Sequence, residues 1–414
     1  MALHCLFVVQ GEGRGHLTQA MALRRMLRSA GHRVEGAVVG KSRGQAVPTF
    51  FRAAFDAPVT HVESPTFVSD GADQSVRPWV TLLREVRRTP TFWQSLKALG
   101  AALDRHEPDV VVNFFEPLMG LYAASHQVSP PVVAVAHQYM FSHPAYRFPD
   151  GHRVQREAVR AFARLTAWGA TRRLALSLYP APDRPGDNLA VVPPLLRADL
   201  FRQPQDRSEP FFLVYVLNSG YADEVIRWHE TNPEVQLHCF WDRPDAAPVE
   251  PYDETLTFHQ LDDEKFLSFM ARCRGFVSTA GFESIAEAMY LQTPVQVVPV
   301  EGHYEQLCNA VDAVRAGAGI RSFRFDIDRL QEVLPRYPEG DMNFRAWVRR
   351  ARRRFVQEIE AVAERGEPSA TTSAWPPELE TARENPRSGE RPMAFEGPSG
   401  EGAESQCLAQ QEGS

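Results

Sequence analysis

"HCLFVVQGEGRGHLTQAMAL", residues 4–23, decides the fold. Its opening, "HCLFVVQ", has the apolar centre of a buried strand, and "HLTQAMALRRMLRSAG" reads as a helix ending at Gly31. Between them stand Gly11, Gly13 and Gly15. Glycines in a strand-to-helix turn let the backbone come close to a ligand, and the helix start offers unpaired N–H groups and positive dipole, which suits a phosphate. The spacing is GxGxG followed at once by His16, not GxGxxG, and no Walker lysine follows, so dinucleotide and P-loop readings weaken. A tight turn with an incidental histidine is the plain alternative.

Working outward, "HRVEGAVVG" is a second strand, "WQSLKALGAALDRHEP" a helix, and "DVVVNF" and "PVVAVAHQ" are buried strands whose valine runs do not alternate with polar residues. This βαβ repetition predicts a doubly wound parallel sheet over residues 1–205. After the polar stretch "RQPQDRSEP" a second series begins: strands "FFLVYVLNSG", "VQLHCFW", "LTFHQL", "GFVSTAG" and "PVQVVPV", with helices "DDEKFLSFMARC" and "FESIAEAMYLQ" between them. One charged helix, "FRAWVRRARRRFVQEIEAVAERG", closes this second unit, 206–366. Residues 367–414 are rich in Pro, Ser, Gly and Glu and poor in apolar side chains, and are expected to be disordered.

The length of 414 residues agrees with two domains and a tail. No apolar run approaches the roughly eighteen residues that span a bilayer, and "MALHCLFVVQGEG" lacks a basic n-region and a cleavage site. A cytoplasmic protein is expected. Cys5, Cys239, Cys273, Cys308 and Cys407 are scattered, as reduced thiols would be. The net charge of −7 conceals an asymmetry: residues 1–185 hold 22 Lys and Arg against 14 Asp and Glu, an excess of +8 that leaves −15 elsewhere. Such a basic half suits an anionic partner, a substrate or a membrane surface, or is a solvated arginine face. The basic run from Arg349 lacks interleaved aromatics, which speaks against nucleic acid.

In the second unit, Gly281 permits close approach, Ser284 lies in the first helical turn, and Glu287 sits one turn below Glu283 on the same face. A diphosphate would suit that helix start, and a carboxylate nearby could accept both hydroxyls of a ribose. The two glutamates would equally make a solvated helix face. Asp262 and Asp263 precede a helix, where capping accounts for them. In the first unit, Glu116 follows a strand at the carboxyl edge and is a candidate acid or base; His137 and His143 follow the next strand, where satisfied loop histidines are the simpler reading.

The stretch Gly11–Leu23 resembles the "GGTGGHxxPAxAL" opening of the peptidoglycan-precursor N-acetylglucosaminyltransferases and related inverting enzymes, that is, of glycosyltransferase family 28 and family 1-like proteins of the GT-B superfamily. "ESIAEAMYLQTP" is similar to that superfamily's "TxxEaxxxGxP", and "EQLCNA" to its "DQxxNA". The resemblance covers residues 3–25 and 258–310. It implies two Rossmann-like domains facing a cleft, and transfer of a sugar from a nucleotide-diphosphate donor, UDP first among them, to an acceptor hydroxyl, with inversion and without a metal or other cofactor. It implies that His16 serves the reacting centre, that Gly11, Gly13, Arg14 and Gly15 form the acceptor or phosphate loop, and that the region of Leu261 meets the nucleobase. Gly220 belongs to the loop opening the donor domain, Gly281 and Ser284 meet the diphosphate and Glu287 the ribose. His303, Glu305 and Gln306 lie at the sugar, and Asn309 starts a helix. Glu12 and Arg14 replace the family's small residues, so the acceptor should differ; an anionic or lipid-linked compound, reached from the inner face of a membrane, is compatible with the basic half. A nucleotide-sugar epimerase of the same fold and a non-catalytic nucleotide-sugar-binding protein are the competing readings.

Overall fold

The computed structural model describes residues 1–42, 44–64, 90–204, 209–216, 219–243, 246–337 and 342–365. The domain boundary expected after residue 205 and the tail at 367–414 lie outside the described residues.

The opening strand and helix form where the apolar pattern places them, β1 at His4–Gln10 and α1 at Gly15–Ser29. The first sheet continues with β2 (Arg33–Lys41), β3 (Val59–Glu63), β4 (Val110–Phe114), β5 (Val132–Ala136), β6 (Arg172–Leu176) and β7 (Leu189–Val192). All pairings are parallel, in the order β3-β2-β1-β4-β5-β6-β7. The chain reverses its direction of sheet growth between β1 and β4, the place where doubly wound sheets open a crevice at their carboxyl ends. Helices α2 (Thr49–Phe55), α3 (Pro90–His106), α4 (Pro117–Ser125) and α5 (Arg153–Thr166) accompany this sheet. The valines of β4 and β5 are buried throughout, as strands covered on both faces require.

The second sheet holds β8 (Phe212–Val216), β9 (Leu237–Trp241), β10 (Val249–Pro251), β11 (Leu256–Gln260), β12 (Gly275–Thr279), β13 (Val295–Val298) and β14 (Gly319–Arg321). Its order is β10-β11-β9-β8-β12-β13-β14, parallel except for the edge strand β10. Its reversal point lies between β8 and β12. Accompanying it are α6 (Ala222–Thr231), α7 (Asp263–Arg272), α8 (Phe282–Leu291), α9 (Tyr304–Arg315) and α10 (Ile327–Val333). Two doubly wound α/β halves are therefore present.

The closing helix departs from expectation. It is two helices, α11 (Met342–Arg349) and α12 (Ala351–Arg365), with a turn at Arg350. The break falls where the chain changes partner. Arg345 of α11 still donates to the Tyr290 carbonyl of α8, whereas α12 lies on the first half: Arg172 on β6 donates to Glu358 at 2.8 Å, both fully buried, and Arg354 pairs with Asp183. The last described helix, expected with the donor unit, thus bonds the first sheet, and Phe355, Ile359 and Val362 bury the apolar stripe that docks it. Among the described residues no helix is long and apolar enough to cross a membrane.

Candidate active site

The two reversal points collect the candidate residues. His16 follows β1 and Glu116 follows β4, on either side of the first; Gly220 follows β8, and Gly281, Ser284 and Glu287 follow β12, on either side of the second.

In the first loop Gly11 and Gly13 each have a distinct reason. A Cβ on Gly11 would sit 2.6 Å from the Gly40 carbonyl oxygen, which already accepts the Gly11 N–H at 2.7 Å. Gly13 has φ of +68°, the left-handed region where a side chain is strained. A Cβ on Gly15 would lie 3.4 Å from Cγ of Glu283 in the other half. Arg14 stands over the Phe50 ring and reaches Asp263 across the halves at 2.7 Å. His16 is buried in the first turn of α1, stacked against Phe115, with Nδ1 3.2 Å from Oε1 of Gln19. Burial, helped by the neighbouring His137, brings its pKa down to about 4, against the opposing pull of Gln19 and Glu305, so the imidazole is neutral at neutral pH.

Glu116 is fully buried and caps α4: its Oε1 accepts from the Leu118 N–H at 3.0 Å and from the Ser64 hydroxyl, while Oε2 has no partner. Burial raises its pKa to about 7 despite those two bonds. A capping role accounts for where it sits, and it makes no bond across the halves.

The second half meets the first through its own carboxylates. Glu305, in the first turn of α9, accepts from Gln138 Nε2 at 3.0 Å and lies 3.5 Å from Nε2 of His137, whose ring stacks on Phe282. Burial alone would raise Glu305, but His137, His303 and His16 outweigh it and bring the pKa to about 2. His303 caps α9, accepting from the Gln306 N–H at 3.3 Å, and Gln306 accepts the Val300 N–H at 2.9 Å. Asn309 lies inside α9, not at its start; its amide donates to the Ala280 carbonyl at 3.0 Å and pins the turn before Gly281. The expectation for it is corrected accordingly: the helix begins at Tyr304, and Asn309 supports the neighbouring glycine turn.

Gly281 has an ordinary φ of −79°, and only the Ser284 hydroxyl comes within 3.5 Å of a Cβ placed there. Ser284 donates to the Gly281 carbonyl at 3.2 Å. Glu287, buried on α8, receives both Nε and Nη2 of Arg197 at 2.6 Å; Arg197 also lies 3.1 Å from Asp263. Asp262 caps α7, accepting from the Lys265 N–H at 2.7 Å, as its place before a helix predicts. Leu261, Gln260, Trp241, Asp242 and Arg243 line a recess of about 210 Å³ at the carboxyl end of β9 and β11. Gly220 is exposed in the short turn after β8.

Several members of this arrangement carry no sequence signal of their own. Arg197 is a lone arginine in a linker, and Gln19 and Gln138 are ordinary polar residues of α1 and the loop after β5. His137 is drawn between Phe282 and Glu305, whereas His143 is the satisfied loop histidine expected, bonded to Pro182 and Ala145. Among the described residues no group of three or more His, Cys, Asp or Glu is placed to hold a metal ion.

Two doubly wound units bonded through the loops beyond their carboxyl edges are the architecture of a GT-B glycosyltransferase. The chain belongs to glycosyl transferase family 1, whose model matches residues 3–338. Among solved structures it resembles the glycotransferase of kitacinnamycin, at 17% identity and a TM-score of 0.57 over 87% of this chain and 99% of that one. CalG4, the calicheamicin glycosyltransferase, aligns at 19% identity with a TM-score of 0.52, over 89% of this chain and 100% of CalG4. UGT2 of Phytolacca americana, complexed with UDP-2fluoro-glucose and pterostilbene, aligns at 13% identity with a TM-score of 0.53, over 88% and 96% of the two chains. No curated protein matches the sequence significantly. The protein is a glycosyltransferase of the GT-B type.

Proposed function

We propose that the protein transfers a sugar from a UDP-sugar held by the second half to a hydroxyl of an acceptor bound by the first, with inversion and without a metal or other cofactor. The observation that carries this reading is the neutral, buried His16 at the carboxyl edge of β1, facing the second half's carboxylates. Its imidazole takes the proton of the acceptor hydroxyl as that oxygen bonds to the sugar's anomeric carbon; the bond from that carbon to the diphosphate breaks on the opposite side and the diphosphate leaves with the electron pair. The start of α8, from Gly281 to Ser284, meets the leaving charge with N–H groups and dipole, and the recess beside Leu261 takes the nucleobase. Glu305 and Gln306 stand on the sugar side, and the ribose hydroxyls share Glu287 with Arg197.

UDP is favoured because two proteins of similar fold were solved with it or a derivative: UGT2 with UDP-2fluoro-glucose and LpCGTa with UDP. The first half's charge of +8 over residues 1–185, with Arg153, Arg156, Arg160 and Arg164 along α5, suits an anionic or lipid-linked acceptor met from the cytoplasmic side of a membrane. A thermal-shift panel of nucleotide sugars tests the donor, and product analysis with the best binder, run with and without acceptor mixtures and with EDTA present, tests the reaction. The expected result is a rise in Tm with UDP-sugars and product only with acceptor. Donor consumption without acceptor would instead indicate an epimerase, and binding without turnover a non-catalytic protein.

A further inference from the structure

The hydrogen bonds behind His16 run out of its own half. Nδ1 of His16 is 3.2 Å from Oε1 of Gln19, one turn along α1, and Nε2 of Gln19 is 2.5 Å from Oε1 of Glu283 in the first turn of α8. Gln19 is 1% exposed and His16 9%. Glu283 keeps a second, buried oxygen, Oε2, without a partner. Gly15 belongs to the same arrangement, because Cγ of Glu283 lies 3.4 Å from where its Cβ would stand, in van der Waals contact. Glu287, on the same helix, and Arg197, from the first half, are the charged groups beside this carboxyl.

The polarity of the chain follows from donors and acceptors. In the structure Oε1 of Glu283 accepts, as it does when the carboxyl is ionised or carries its proton on Oε2. The amide of Gln19 turns its NH2 to Glu283 and its oxygen to His16. An amide oxygen has nothing to donate, so the ring nitrogen facing it must carry the proton. Nδ1 is protonated, and Nε2 is left bare as the basic nitrogen.

From this we propose that Gln19 and Glu283 are positioning residues that hold His16 in the tautomer protonated on Nδ1, and that the base is complete only when the second half brings Glu283 against Gly15. The inference rests on the reading of His16 as the base, since it concerns how that base is prepared. Its consequence is an economy of construction: the half that binds the donor also sets the tautomer of the group that activates the acceptor.

The full-length protein labelled with ¹⁵N-histidine tests it without any substrate. The His16 ring signals are assigned by their loss in His16→Ala, and their shifts report which nitrogen carries the proton. The expected wild-type pattern is Nδ1 protonated and Nε2 bare. Gln19→Leu and Glu283→Ala, one on each half, should both lose that preference, and Glu283→Gln, which keeps an acceptor oxygen, should retain it. Once an acceptor is in hand, Glu283→Ala should lower kcat by about 10–100-fold with donor KM little changed, with recovery in Glu283→Gln. A wild-type ring protonated on Nε2, or a pattern unchanged in both disrupting variants, would overturn the proposal. The expected ring pattern combined with full turnover in His16→Ala would uphold the hydrogen-bond chain while removing the base from the mechanism, so the two readings fail separately.

Discussion

The two glycine turns do the same topological work and differ in what the fold asks of them. After β1, Gly11 is pressed against the Gly40 carbonyl and Gly13 needs a positive φ, so the protein's own backbone explains both. After β12, Gly281 has an ordinary backbone conformation, and a Cβ there would make only an ordinary contact with the Ser284 hydroxyl at 3.5 Å. Nothing in the fold requires glycine at 281. The carboxylates beside the turns differ in the same sense. Glu116, near the first, is buried with an unpartnered oxygen and a raised pKa; Glu287, beyond the second, is held by both arms of Arg197. Glu116 is buried without a counter-charge, whereas Glu287 is matched by Arg197, which reaches it from the first half.

Breaking the matched pair should have the largest effect on stability. Glu287→Ala strands Arg197 in a buried site, and denaturant unfolding should show a loss of about 3–5 kcal/mol, nearer the lower figure because Asp263 still reaches the guanidinium. The same variant should bind nucleotide sugar more weakly in calorimetry; unchanged stability would mean that the ion pair only breaks even with solvent.

The uncompensated carboxyl should behave in the opposite way. The folded pKa of Glu116, about 7, lies above its ordinary 4.5, so the stabilisation it confers is complete below pH 4.5 and is lost as the pH rises through 7. That loss is about 3 kcal/mol from a shift of this size. Glu116→Gln cannot ionise, and unfolding measured at pH 5 and pH 8 should show a smaller decline than in the wild type; parallel declines would place the titrating group elsewhere.

The glycines themselves give the smallest difference and sharpen the comparison most. Gly11→Ala should cost about 1–3 kcal/mol, since a backbone carbonyl must move. Gly281→Ala should stay within about 0.5 kcal/mol of wild type in stability while weakening donor binding. Equal costs at the two sites would erase the distinction.

Much of this is legible in the sequence wherever the signal is local. The strand, glycine turn and helix at His4–Ser29 and at Gly275–Leu291, and the cap at Asp262, follow from periodicity and turn chemistry over a few neighbouring residues. What escapes is set by distance along the chain and by burial. Arg197 and Glu287 are 90 residues apart, Gln19 and Glu283 264, and no local pattern announces either contact. The break at Arg350 is invisible because the charged sequence is helical on both sides; only the change of packing partner interrupts it. Glu116 reads as a loop carboxylate, and its complete burial comes from Gly40 and Ser64 closing over it, residues far upstream.

The central claim is a division of labour, with the base on the first half and the donor on the second. Kinetics and donor calorimetry on His16→Ala test it most directly. A positioned base contributes about 10²–10⁴-fold, so kcat should fall by that factor while the donor dissociation constant stays within about twofold of wild type. Turnover near the wild-type rate, or a collapse of donor affinity, would contradict the account.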